Sequence, residues 1–288
     1  MDVSVCIVNL NSIKYLKRCL ESLKKGIRKN SFEVIIVDNN SKDGSISYIE
    51  DFTEFKIKLI KNRFNSGYTK AMNQALKKSS GEHILVLNPD SILQDKSIDK
   101  LLMHSRRNKK IGVIGPKVVD ESGNFQASCR RGVATPMAVF SYFTGLAKLF
   151  PKTEVFTGYQ LNHLDDNVVS EVSGVSGSCM VIKSELIREI GLFDEKFFAY
   201  QEDSDFCLRA KYHGWTICFF PLVKVVHFGG FGGSNFVPMK AIFEWHRSYW
   251  TFYNKHFSKN YPFIFNQFYT MLMILKLIFS EIKYLIKN

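Results

Sequence analysis

The side chains best able to do chemistry in this sequence stand in short polar runs, each close behind an apolar stretch. Asn9 and Asn11 follow the first stretch, and Asp38-Asn39-Asn40-Ser41-Lys42-Asp43-Gly44 the second. Asn65-Ser66-Gly67 comes shortly after the third, and Asn88-Pro89-Asp90 after the fourth. Taken singly, Asp, Asn, Ser and Gly are what turns and helix caps prefer, so Asp43 can be a cap and Ser66-Gly67 a turn. Their accumulation after successive stretches argues for a ligand site instead.

A second cluster runs from Phe193 to Arg209 and holds Glu202, Asp203 and Asp205 within four residues. A helix start needs only one acid, and neighbouring carboxylates repel. Such crowding suits a site where proton affinity is raised for base catalysis, or where a cation is close. A third run, Val225-Val226-His227-Phe228-Gly229-Gly230-Phe231-Gly232-Gly233-Ser234, carries a histidine from a β-type stretch into a glycine-rich loop. His227 is either a core residue or a neutral imidazole ligand beside backbone that can approach a substrate closely.

These runs need elements to hold them. Val3–Val8, Val34–Val37, Ile57–Ile60, Ile84–Leu87 and Ile111–Ile114 are nearly unbroken apolar stretches, as strands of a sheet covered on both faces must be. Between them, Ile13, Leu16, Leu20 and Leu23, and later Ala71, Ala75 and Leu76, recur at helical spacing. The alternation predicts an α/β fold with a mainly parallel sheet flanked by helices. In such a sheet, ligands collect at the carboxyl edge, where the polar runs fall. Residues 117–170 read as irregular, with Arg130, Arg131 and aromatics through Phe140, Tyr142 and Phe143. A strand is expected at Cys179–Ile182, helices at about 184–190 and 204–213, and strands near 216–220 and 223–227. From Pro238 onward the chain reads as helical and aromatic.

The composition, 45% hydrophobic and 23% charged, is that of a globular protein, and 25 Phe with 12 Tyr predict large aromatic cores or an apolar docking surface. Six scattered cysteines without a Cys-x-x-Cys pair argue against a disulfide framework or zinc cage and for a reducing cytoplasm. The acidic N-terminus does not read as a signal peptide. A net charge of +12 points to an anionic partner, yet the basic residues are dispersed and no nucleic-acid motif is present. Near the C-terminus, Leu275, Ile278, Phe279, Ile282, Leu285 and Ile286 share one helical stripe, and Lys276, Ser280, Lys283 and Lys287 another. The charge-free run between Lys259 and Lys276 reads as too short and too polar to span a bilayer. The stripe is therefore expected either to pack on the body or to lie in a membrane interface with its lysines toward anionic headgroups.

Val37–Gly44, read as Val-Asp-Asn-Asn-Ser-x-Asp-Gly, resembles the nucleotide-binding segment of family 2 glycosyltransferases of the GT-A fold. Asn65-x-Gly67 with Ala71 and Asn73 is similar to that family's next donor-side motif, and Asn88-Pro89-Asp90 resembles its Asp-x-Asp element. Phe198-x-Tyr200-x-Glu202-Asp203-x-Asp205-x-x-x-Arg209 resembles its acceptor-side acidic motif, and His227 its downstream metal histidine. The likeness covers roughly residues 1–235, divided into a nucleotide-binding half, 1–115, and an acceptor-side half, 116–235. Residues 236–288 form a helical C-terminal segment outside it. Within the family the chain is most similar to bacterial rhamnosyltransferases of surface-polysaccharide assembly, such as O-antigen synthesis.

The resemblance implies an inverting, metal-dependent transferase acting on a nucleotide-diphosphate sugar. Asp38 would contact the base or ribose, with Asn9, Asn40, Ser41, Asn65, Gly67 and Asn73 on the donor side. Asp90 and His227 would hold Mg²⁺ or Mn²⁺. Asn88 departs from the family's first acid and, being uncharged, would serve the sugar or ribose. Asp203 would be the general base, with Glu202 and Asp205 orienting it or binding acceptor. L-rhamnose from deoxythymidine-diphosphate rhamnose is the implied transfer, with a UDP-hexose or UDP-galactofuranose as the alternative donor. The acceptor would be a glycan or lipid-diphosphate-linked glycan, met by a cytoplasmic protein peripheral on the inner membrane face. A nucleotidyltransferase would need a glycine-rich, lysine-containing loop after the first strand, and Asn9-Leu10-Asn11 is not one. A non-catalytic scaffold is disfavoured by the intact Asp90 and Glu202-Asp203.

Overall fold

The computed structural model describes residues 1–150, 153–231, 235 and 237–287. Gly232, Gly233 and Ser234 of the expected glycine-rich loop lie outside the described residues. Strand β1 (Val3–Asn9) is buried at every position, and β2 (Phe32–Asp38) and β4 (His83–Leu87) flank it in parallel. β3 (Ile57–Lys61) adds in parallel outside β2. One face is covered by α1 (Ile13–Gly26), through Leu16, Cys19, Leu20 and Leu23, and by α4 (Ser97–Arg107), through Ile98, Leu101 and Leu102. The other is covered by α3 (Tyr68–Lys78), through Ala71, Met72, Ala75 and Leu76. The short α2 (Ser45–Glu50) follows β2.

Beyond β4 the sheet continues through β10 (Cys179–Lys183), β6 (Ile111–Val119), β11 (Thr216–His227) and β5 (Ser91–Leu93), in that order. β8 (Ser170–Val172) pairs with β11 off this path. β1, β2, β3, β4, β6 and β11 share one direction, while β5, β8 and β10 run against it. The expected mainly parallel sheet is the one observed. The two strands expected over 216–220 and 223–227 are one strand. Its register with β6 slips between Phe220 and Lys224, around Pro221, which has no N–H to give a ladder.

Residues 117–170 are more ordered than their sequence suggests. Lys117–Val119 finish β6, and α5 (Pro136–Thr144), α6 (Leu146–Leu149) and α7 (Glu154–Thr157) follow. α5 is apolar nearly all round, so it carries no stripe for periodicity to detect. Thr135 caps it, accepting the Ala138 N–H at 3.3 Å. β7 (Arg130–Arg131) pairs antiparallel with β9 (Gly174–Val175) in a separate two-stranded ribbon. α8 (Ser184–Ile190) matches its expected bounds, and α9 (Glu202–Tyr212) begins two residues before its own.

α10 (Pro238–His256) and α11 (Phe263–Lys287) share a third core with α5, including Val139, Tyr249, Phe252, Tyr253, Tyr269 and Met273. α11 is built inside out. Thr270 accepts from the Trp250 indole at 3.2 Å, Ser280 meets His246 at 3.3 Å, and the Lys276 ammonium lies over the Phe143 ring. Ile264, Phe268, Met271, Ile274, Leu275, Ile278, Phe279, Ile282, Leu285 and Ile286 are exposed. Tyr269, Met273, Lys276 and Ser280 face the body, Lys283 and Lys287 are exposed, and the apolar stripe faces out. The charge-free run between Lys259 and Lys276, expected to be too short and too polar to span a bilayer, lies mostly within a longer helix. α11 is continuous past Lys276 and is the one helix among the described residues that is long and apolar enough to cross a bilayer, judged by length and composition.

Candidate active site

The parallel register brings the ends of β1 and β2 side by side, with Asn9 opposite Asp38. Asp38 is buried and accepts the Asn9 amide at 2.7 Å and the Ser41 N–H at 2.8 Å. Ser41 Oγ in turn accepts from Asn9 Nδ2 at 3.0 Å and from the Asn11 N–H at 2.9 Å. Asn11 and Asn40 sit at φ 50° and 74°, a left-handed backbone that Asn tolerates better than most residues. Asn40 Oδ1 takes the Lys42 ammonium at 2.9 Å. Asp43 is a cap, though across the chain: its carboxylate accepts the first N–H of α1, from Ile13, at 2.7 Å.

Asn39 donates to the Gly67 carbonyl at 3.1 Å, and Asn65 Oδ1 accepts the Gly67 N–H at 3.0 Å. Gly67 is required there. At φ 90°, a Cβ would lie 2.7 Å from the Phe198 ring and 2.8 Å from the Phe198 carbonyl oxygen. Asn73 is engaged elsewhere. Its amide donates to the Phe193 carbonyl at 2.9 Å and accepts the Phe193 N–H at 3.2 Å, pinning α3 to the segment that leads into α9.

Asp90 and His227 meet because β5 and the end of β11 are paired, with Ser91 opposite His227. Asp90 is buried; its Oδ2 accepts the Phe231 N–H at 3.2 Å, whereas Oδ1 has no hydrogen-bond partner. His227 Nε2 stands 3.3 Å from that Oδ1. The tautomer follows from Gln126. Its Nε2 donates to the His227 carbonyl at 2.7 Å, which turns its Oε1 toward His227 Nδ1 at 3.0 Å. Nδ1 therefore carries a proton, and in the neutral ring the Nε2 lone pair points to Asp90 Oδ1 and the Asn88 amide, 3.3 Å away. A carboxylate oxygen without a donor facing an imidazole lone pair is a donor set that a divalent cation completes. Among the described residues no group of three or more His, Cys, Asp and Glu forms a full metal cage. An ion here would need the oxygens of a ligand.

α9 brings the acids in. Tyr200 and Gln201, at φ 69° and 60°, turn the chain sharply just before it, a strain of about 1–2 kcal/mol per residue. The raised proton affinity expected of the crowded acids falls on Glu202, whose carboxyl is pushed up to about 8 by burial and by the adjacent Asp203 charge. Its Oε2 is buried without a partner. Asp203 Oδ2 accepts from Arg131 Nη2 and from the Gly177 N–H at 2.9 Å, and its Oδ1 accepts the Ser204 N–H at 2.7 Å. Burial alone would lower the proton affinity of Arg131, but Asp203 more than offsets this and raises it. Asp205 is taken up by Arg209 at 2.9 Å, Lys255 at 2.6 Å and His256 at 2.8 Å. Despite burial, the hydrogen bonds from His256 and Lys255 hold its carboxyl down at about 2.

Asn88, Asp90, Glu202, Asp203 and His227 line one cavity of about 340 Å³. Asn65 lines a smaller neighbour of about 80 Å³ with Asn39, and the two share Val8, Tyr68, Ala199 and Tyr200. Asn9, Asp38, Asn40, Ser41 and Gly67 shape the adjoining loops, while Asn73 and Asp205 fasten helices. Sequence reading assigned no role to Arg131, Gln126 or the aromatic wall of Tyr142, Tyr159, Trp245 and Tyr249 on the Asp203 side. Arg130-Arg131 was visible as a basic pair, but nothing in its spacing ties it to Asp203.

The glycosyl transferase family 2 model matches residues 4–191. An N-acetylglucosaminyl-diphospho-decaprenol L-rhamnosyltransferase of Mycobacterium tuberculosis is 27% identical over 225 residues, 74% of this chain and 71% of its own length. A low-salt glycan biosynthesis hexosyltransferase of Haloferax volcanii is 26% identical over 264 residues, 90% of this chain and 78% of its own. Among solved structures, S. aureus TarS 1-349 superposes with a TM-score of 0.56 at 21% identity, covering 85% of this chain, which spans 65% of that one. The mannosyltransferase PcManGT of Pyrobaculum calidifontis, in complex with GDP-Man and Mn²⁺, gives 0.57 at 15% identity, covering 86% of this chain and 63% of that one. These neighbours share the fold, and the architecture is the expected GT-A one.

Proposed function

We infer the detailed function from one premise: the chain belongs to glycosyl transferase family 2 and is a glycosyltransferase of glycan synthesis. The reading is an inverting transfer from a nucleotide-diphosphate sugar, with residues 1–235 as the catalytic domain. The observation that carries it is the cavity with two unlike walls. Asp90 and His227 present lone pairs on one, and Glu202 and Asp203 stand on the other.

In this reading the loops after β1, β2 and β3 hold the nucleotide, with Asp38 and Asn9 keeping the Ser41 turn in shape. Asn88 faces the sugar or ribose. Mg²⁺ or Mn²⁺ bound by Asp90 and His227, and completed by the donor phosphates, would supply Lewis-acid stabilisation of the departing diphosphate. Gln126 holds the His227 imidazole in the tautomer that such binding needs. Asp203 takes the proton from the acceptor hydroxyl as its oxygen bonds to C1 and the C1–phosphate bond breaks, its electron pair leaving with the nucleoside diphosphate. One displacement inverts the anomeric centre. Glu202 stands beside Asp203, its carboxyl pushed up by burial and by the Asp203 charge.

Likeness to the mycobacterial L-rhamnosyltransferase supports L-rhamnose as the sugar, with deoxythymidine-diphosphate rhamnose as the proposed donor and a UDP-hexose or UDP-galactofuranose as the alternative. A thermal-shift screen of nucleotide sugars with Mn²⁺ tests this. The expected result is a melting temperature raised by the rhamnose donor, about 2.7 kcal/mol of stabilisation at a hundredfold excess over Kd, and lost with EDTA. If no nucleotide sugar stabilises the protein and none is hydrolysed, a non-catalytic scaffold becomes the better reading.

The acceptor in this reading is a lipid-diphosphate-linked glycan at the inner membrane face. Its support is the outward apolar stripe of α11, about 33 Å from Ile264 to Ile286 at 1.5 Å per residue, with exposed Lys283 and Lys287 for anionic headgroups. The full chain is expected to cosediment with phosphatidylglycerol-containing vesicles, and the double variant I274E/I282E to lose at least tenfold of that binding. Equal sedimentation of the two would remove α11 from the membrane.

A further inference from the structure

The two-stranded ribbon formed by β7 and β9 is too small to be a core element, yet both of its ends reach the same oxygen. Arg131, on β7 opposite Gly174 of β9, pairs with Asp203 Oδ2, and three residues beyond Gly174 the Gly177 N–H donates to that oxygen at 2.9 Å. The ribbon is fastened around them: the Ser173 N–H donates to the Arg131 carbonyl at 3.0 Å, and the Ser176 N–H to the Cys129 carbonyl at 3.1 Å.

Neighbouring strand residues point to opposite sides, and the two arginines use this. Arg130 turns away from the cavity and binds the carbonyls of Leu164 at 2.5 Å and Asp165 at 2.7 Å, lying over the Phe125 and Phe219 rings. Arg131 turns into it. Its Nε is buried without a partner, on a side chain that lines the cavity.

We propose that Arg131 is a positioning residue for the transfer. With Gly177 it clamps Asp203 Oδ2, so that the carboxylate meets the acceptor hydroxyl in one fixed orientation. This rests on the reading of Asp203 as the base. Arg131 acts through Asp203, so its effect must vanish when Asp203 can no longer take a proton.

A double-mutant cycle on the full-length protein tests it, using Mn²⁺-dependent turnover of the nucleotide sugar that the wild-type protein hydrolyses. R131M is expected to lower kcat about 100-fold, the scale of a misplaced reacting group, with the donor KM unchanged. R131K, which keeps a cation opposite Asp203 and so guards against loss of folding, is expected to fall between R131M and wild type. In the D203N background, R131M is expected to cost less than threefold more. Two results overturn the proposal: R131M turnover within threefold of wild type, or the same fractional loss in both backgrounds, which marks a purely structural arginine. Near-normal turnover by D203N alone would instead strike the base reading beneath it.

Discussion

Asp203→Asn is expected to lower sugar transfer by about 10²–10⁴-fold, the range that a positioned proton acceptor contributes. Affinity for the nucleoside diphosphate should stay within threefold of wild type, because Asn88, Asp90 and His227 do not bond to Asp203. The variant keeps the shape of the side chain, and its amide oxygen can still accept the Gly177 N–H. Arg131 is left without a counter-charge in a nearly enclosed place, so stability should fall by about 3 kcal/mol. Initial rates with a saturating donor, together with calorimetric titration of the nucleotide, separate these effects. Turnover within threefold of wild type would remove Asp203 from the role of base.

Asp90→Ala is expected to act on the opposite wall. With Mn²⁺ present, nucleoside-diphosphate affinity should fall by at least about 100-fold, since even the outer partners of a metal ligand commonly matter by 10–100-fold. In EDTA, wild type and variant should bind equally weakly. Some loosening of the Phe228–Phe231 turn is expected as well, because Phe231 loses its acceptor on the Asp90 carboxylate. Asp90→Asn is the control, as it keeps the shape while surrendering the charge. Unchanged affinity in Mn²⁺ for both variants would show that Asp90 holds no ion.

Much of the fold was legible because its central strands are covered on both faces. β1 and β4 are buried throughout and almost wholly apolar, and no helix of that length would need such a run. What escaped the sequence lacked a periodic signal. β7 and β9 have two residues each, and α5 is apolar nearly all round. Pro221 split one strand into two expected ones. For α11 the two stripes were correctly separated, but periodicity does not say which stripe faces inward. Only the contacts of Thr270, Lys276 and Ser280 with α10 and α5 decide that.

The candidate site divides in the same way. The polar runs at the strand ends are local and could be read directly. Asp205 belongs to the same acidic run as Asp203, and only Lys255 and His256, fifty residues away, turn it into the staple between α9 and α10. Arg131 meets Asp203 across 72 residues, and Gln126 meets His227 across 101. Contacts over such separations leave no spacing to recognise in a single sequence.

The ribbon that joins Arg131 to Gly174 also bears on how such proteins can diversify. Residues 132–173 leave and return at one fixed point, with Arg130 bonded to the carbonyls on the returning side. Lengthening a closed loop is cheap, about 0.6 kcal/mol per doubling. Insertions or deletions in the loops between these anchors, clear of α5 and of β8 where it pairs with β11, would therefore leave the loops after β1, β2 and β3 undisturbed. The same segment carries Tyr142 and Tyr159 of the cavity's aromatic wall. On the proposed reading, a lineage could thus exchange the partner receiving the sugar while keeping the sugar itself, and hybrids that retain β8 and the core contacts of α5 would re-create that step in the laboratory.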